Sequence, residues 1–245
     1  MIMSILKAIA GTNSAATTMV APARHPQHGR QAKPKGRHPN TPQRLPTKRK
    51  MGTDLVSLVG FNNDAFIISL PAEPWGTKLG ERVAILPAKI GGDGTNIAAG
   101  LRRALEISRK CPRGSQRRVW LFSDGEHTRN MADTIPAAQA LADAYINLNV
   151  IAFGEATGSA LLKSLAAKTH HGKFIPVTSL QEMSTALTKT GKQARVKRQH
   201  RQEVAILVVD CSWSMMTRDM NGFTRIEAVR DAIQHLLRYK ATVWG

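Results

Sequence analysis

From residue 54 onward, apolar positions recur with two alternating periods. "DLVSLVGF" and "AFIISL", separated by "NND", read as two strands joined by a tight polar turn, an antiparallel hairpin. A Pro/Gly-rich loop follows, then "GGDGTNIAAGLRRALEISRK", in which Ile97, Leu101, Ala104 and Leu105 fall at helical spacing. "RRVWLFSDGEHT" gives a short apolar strand over 118–122 that stops at Ser123-Asp124-Gly125. A helix at about 133–145 leads to the strand "INLNVIAFG", then "ALLKSLAAKT" reads as a helix, "KFIPV" as a strand and "SLQEMSTALTK" as another helix. After a polar break over 191–202, "VAILVVDCSWSMM" starts a buried strand at 203–209 that runs into a loop. In "TRIEAVRDAIQHLLRYK", Thr224 and Glu227 have capping-box spacing, and Ile226, Val229, Ile233, Leu236 and Leu237 form one apolar stripe.

Strands alternating with helices at this spacing predict βαβ units. The expected fold is α/β: a three-layer, Rossmann-like domain with a six-stranded, mostly parallel sheet and one antiparallel edge strand. A lone strand-loop-helix unit cannot bury both its faces, so 203–245 is expected to join the sheet made by 51–190.

Charge divides the chain differently. Of the net +18, ten charges lie in residues 1–50 and five in residues 191–202, neither segment holding an acid, so the remaining residues carry only +3. Residues 21–50, dense in Pro, Arg, Lys, His and Gln, lack the apolar surface to offset their ordering entropy. The expected organisation is therefore a disordered basic tail (1–50), a domain body (51–190), a basic linker (191–202) and a returning strand and helix (203–245). The tail and linker are candidates for contact with nucleic acid or another polyanion. Two cysteines, Cys111 and Cys211, make no disulfide scaffold and fit a reducing, cytoplasmic setting. No apolar run has the length of a membrane span. The start is a poor secretion signal, and an organellar transit peptide is the alternative.

The candidate chemistry lies at strand ends. Asp210, Ser212 and Ser214 follow one strand, Asp124 follows another, and Thr95 precedes a helix in a Gly-rich loop. In a parallel sheet such positions share the face where ligands bind. Two carboxylates and three hydroxyls, with no imidazole or thiolate, form an oxygen-only set suited to Mg²⁺, Mn²⁺ or Ca²⁺ rather than Zn²⁺. In an extended D-x-S-x-S loop, alternate side chains point the same way. Cys211 reads as a small buried group. There is no G-x-S-x-G elbow and no Walker lysine in "GGDGTN", so no enzyme is expected.

This constellation resembles the metal-ion-dependent adhesion site of von Willebrand factor A domains. The matching stretches are "DCSWS" (Asp210, Ser212, Ser214), "GGDGTNIAAGL" (Thr95) and "LFSDGE" (Asp124). The resemblance implies that these residues hold Mg²⁺ (or Mn²⁺) directly or through water, with one position open to an acidic residue of a partner protein. It also implies an adaptor or scaffold role, with AAA+ ATPases among the partners of intracellular members. Trp213 stands where the family commonly has glycine. It is read as an indole packed beneath the loop, as a ligand-rim contact alongside Glu126, or as a group crowding the metal. The order departs from the family, in which the D-x-S-x-S strand comes first. The chain thus resembles a circularly permuted A domain, its linker of roughly 40 Å reach returning the last strand and helix. The alternative is a sheet completed between two chains.

Overall fold

The computed structural model describes residues 54–74, 77–125, 129–192 and 202–244. The expected tail (1–50), most of the linker and Glu126 lie outside them. Strands β1 (Leu55–Phe61) and β2 (Ala65–Pro74) form the hairpin, followed by α1 (Thr77–Ala84) and α2 (Ile97–Arg109). Next come β3 (Gln116–Ser123), α3 (Met131–Asp143), β4 (Asn147–Ala152), α4 (Ala160–Ala167), β5 (Lys173–Pro176) and α5 (Leu180–Lys192). The last pair is β6 (Glu203–Asp210) and α6 (Arg225–Trp244). The six strands make one sheet in the order β2-β1-β6-β3-β4-β5. Only the β1–β2 pair is antiparallel; the other four pairs are parallel.

The strand that comes last in the chain lies in the middle of the sheet. β6 pairs with β1 from Leu55↔Val204 to Phe61↔Asp210, and with β3 from Gln116↔Glu203 to Phe122↔Val209. Its composition explains the place. Val204, Ile206 and Val208 enter one core with α2, α3 and α4, whereas Ala205, Leu207 and Val209 enter the other with α1, α5 and α6. A strand apolar on both faces is stable only where helices cover both. Each fully buried Ile, Leu or Val contributes about 1.5–3 kcal/mol.

Two expectations change. The Pro/Gly-rich stretch between the hairpin and "GGDGTN", expected to be a loop, contains α1. Leu79 and Val83, one turn apart, are both fully buried, and that packing outweighs the helix penalty of Gly80. The linker is also shorter at its start, since α5 runs through Lys192. At the end of the sheet opposite the candidate site, Lys240 lies 3.5 Å from Glu203 and 3.8 Å from Asp54, while Arg118 lies 3.4 Å from the other Glu203 oxygen. This polar cluster ties α6 and β6 to the start of β1.

Candidate metal centre

Backbone and side-chain hydrogen bonds draw three loops together at the C-terminal ends of β3 and β6. The hairpin turn fixes the first loop: Asn62 donates from Nδ2 to the Gly91 carbonyl (2.7 Å), and its own carbonyl accepts from Asn96 N (2.7 Å). Asn96 in turn caps α2, its Oδ1 accepting from Ala99 N at 3.1 Å. Gly91 N donates to the Cys211 carbonyl (3.0 Å), joining this loop to the D-x-S-x-S loop, and Arg129 N donates to the Thr95 carbonyl (3.4 Å), joining it to the loop after β3. Thr95 is thus held, buried, beside the other two loops.

The carboxylates occupy different surroundings. Asp210 is fully buried; its Oδ1 accepts from Ser212 N (3.0 Å) and its Oδ2 from Ser123 Oγ (3.1 Å). Burial, and then the facing charge of Asp124, push its pKa up to about 7. Ser212 and Ser214 share a hydrogen bond between hydroxyls 2.9 Å apart. Asp124 is buried too. Its Oδ2 accepts from Arg225 Nη1 at 2.8 Å, and its Oδ1 has no hydrogen-bond partner among the described residues. At the next residue, Gly125, φ is +81° and a Cβ would stand 2.5 Å from the Ala156 Cβ, which excludes a side chain.

Arg225 and Asp219 carry no pattern in the sequence that would single them out. Arg225 Nε donates to both Asp219 oxygens (3.1 Å each), Nη2 donates to Asp219 Oδ2 (2.7 Å), and Nη1 also reaches the Ser214 carbonyl (3.5 Å). Burial alone would lower the guanidinium pKa, but the hydrogen bonds and charges of Asp219 and Asp124 outweigh it and raise it. Gly154, at φ +62°, makes the room: a Cβ there would stand 2.5 Å from Nη2.

The loop beyond β6 faces outward. Its 3₁₀ turn, Trp213–Met216, is anchored by buried Met215, while Trp213 is 58% exposed and Met216 45%. The packed position read for Trp213 is therefore incorrect: the four-residue 3₁₀ turn that buries Met215 turns Trp213 and Met216 to solvent. Cys211 points inward, its thiol pushed up to about 12 by burial and by the Asp210 charge, which leaves it protonated and poorly nucleophilic.

All five candidate ligand residues thus lie on the three joined loops. Their donors are exclusively oxygens, and one buried carboxylate oxygen is left over, which fits a hard cation. The sheet is covered by helices on both faces and gathers polar groups beyond its strand ends, the face on which open α/β sheets bind their ligands. The chain belongs to the von Willebrand factor type A domain family, whose sequence profile matches residues 49–189. Domains of this family are commonly involved in protein–protein interaction. No curated protein matches the chain. The chain is similar to a solved structure, an uncharacterized membrane spanning protein from Vibrio fischeri. The two are 19% identical over 58% of this chain and 77% of that one, with a TM-score of 0.29. Among the described residues, no helix is long and apolar enough to cross a membrane.

Proposed function

We propose that this protein is a circularly permuted A domain that binds a protein partner through a divalent cation, Mg²⁺ or Mn²⁺. Asp210, Ser212, Ser214, Thr95 and Asp124 hold the ion, and an aspartate or glutamate of the partner completes its shell. The observations that carry this reading are the buried Asp124 Oδ1, without a hydrogen-bond partner among the described residues, and the repulsion between the Asp124 and buried Asp210 charges. Two carboxylates brought together out of water repel, and a divalent cation between them relieves both the repulsion and the unmet hydrogen-bonding capacity. Neutral hydroxyl ligands leave the ion with residual positive charge, so a carboxylate from outside is attracted. The permutation is supported by the central position of β6 and its pairing with β1 and β3 within one chain.

The test is Mn²⁺ or Mg²⁺ titration of the monomeric chain, with Asp210→Asn alongside. Binding to the folded state alone stabilises by about 2.7 kcal/mol at a hundredfold excess over Kd, so Tm rises with cation concentration. Asp210→Asn should fold and lose the rise. A wild-type chain that binds no Mn²⁺ by electron paramagnetic resonance sinks the cation reading, and a chain that folds only as an oligomer sinks the closed permutation. Partner capture through this site should be abolished by EDTA; capture that survives EDTA but weakens steeply with salt would instead belong to the basic segments.

A further inference from the structure

The Arg225 guanidinium has two working edges, and they grip different parts of the molecule. One edge holds Asp124, whose remaining oxygen is the partnerless one, together with the Ser214 carbonyl; the other holds Asp219 through three hydrogen bonds. The side chain is only 8% exposed and rests against Gly154. Asp219 lies in the loop between β6 and α6, which carries three of the exposed large apolar side chains: Trp213, Met216 and Phe223. That loop is pinned from below by buried Met215 and Met220, and it closes on itself through paired Met220–Phe223 backbone bonds.

We propose that Arg225 is a positioning residue that couples the cation seat to the 213–223 loop, so that a bound divalent cation sets the loop and a partner docked on the loop tightens the cation. This rests on the cation reading of the site. A cation on Asp124 Oδ1 fixes the plane of that carboxylate. That carboxylate meets the guanidinium through one charge-assisted Nη1–Oδ2 bond, so fixing it fixes where that end of the rigid, planar guanidinium sits. The same rigid plane then sets Asp219, and with it the loop on which Trp213 and Met216 stand. A lysine, with a single point of charge, could not transmit the plane. Coupling of this kind is reciprocal, so whatever holds the loop in its cation-bound setting raises cation affinity by the same factor. The partner this surface fits is a protein segment with a carboxylate beside an apolar or aromatic side chain. The carboxylate completes the ion's shell while the apolar group covers Trp213 and Met216, an exposed aromatic being a frequent binding anchor.

The experiment is hydrogen–deuterium exchange of the full chain with and without Mg²⁺, read over residues 211–224, with Mn²⁺ affinity measured in parallel. Wild type, Arg225→Gln and Asp219→Asn are compared. In wild type, Mg²⁺ should slow exchange of the loop by about fivefold or more, the lower end of typical coupling. In Asp219→Asn the slowing should fall below about twofold and Mn²⁺ affinity should drop by the same factor that the loop loses. Arg225→Gln should do likewise; if that variant fails to fold, Asp219→Asn decides, because Asp219 is not among the proposed cation ligands. Merely structural side chains would lower Tm and leave the Mg²⁺ response of the loop unchanged. That result, in a variant that still binds Mn²⁺ as wild type does, overturns the proposal and leaves the cation site standing. A wild type that binds no Mn²⁺ overturns both.

Discussion

At Gly154 a single hydrogen separates the backbone from the guanidinium that holds two aspartates. Gly154→Ala puts a methyl 2.5 Å from Arg225 Nη2 at a φ of +62°, so it meets both a clash and a strained backbone. The expected cost is about 2–3 kcal/mol in denaturant unfolding, larger than a left-handed alanine alone, because the displaced guanidinium leaves buried Asp124 without its ion pair. A cost below about 1 kcal/mol would mean that the guanidinium has another place to go. Four of the five proposed ligand residues stand out in the sequence because strand ends announce themselves, an apolar run halting at Asp210 and another just before Asp124, while Thr95 is marked by a Gly-rich loop before a helix. Arg225 was not legible. It reads as an ordinary first-turn residue of an amphipathic helix, and its partner Asp124 lies 101 residues away. Nothing in local spacing announces a bond made only when two loops fold over one sheet edge.

Helix α6 begins with a reciprocal cap. Thr224 donates from N and Oγ1 to Glu227 (2.8 Å each), and Glu227 N donates back to Thr224 Oγ1 (3.3 Å). Thr224→Ala should cost about 1 kcal/mol. The backbone and then the hydroxyl bond from Thr224 lower the Glu227 pKa below its ordinary 4.5. A depressed folded-state value means the cap contributes fully above pH 4.5 and fades as pH falls through the folded value. The gap between wild type and Thr224→Ala should therefore narrow in acid; a gap that widens would contradict the cap. This helix start was readable as T-x-x-E followed by an apolar stripe. The strands were readable for a similar reason, each being a short apolar run bounded by polar or glycine-rich turns. Helix α1 was not, because only Leu79 and Val83 mark its buried face among residues that alone favour a loop.

The molecule as a whole depends on a strand contributed from far along the chain: Glu203 N donates to Asp54 Oδ1 across 149 residues. A chain ending at Lys192 would leave β1 and β3 facing each other with the central strand missing. It should show no cooperative thermal transition by circular dichroism, and adding residues 202–245 as a separate segment should restore one. A truncated chain that melts cooperatively would show that β1 and β3 can close the gap themselves. The position of β6 also bears on how the protein is made. A ribosome delivers every other strand first, so β1 and β3 emerge with unpaired edges and nothing between them, the kind of surface on which nascent chains stick to one another. The two halves of the sheet cannot join until β6 is released, and so the basic segment ahead of it is translated while they are still apart.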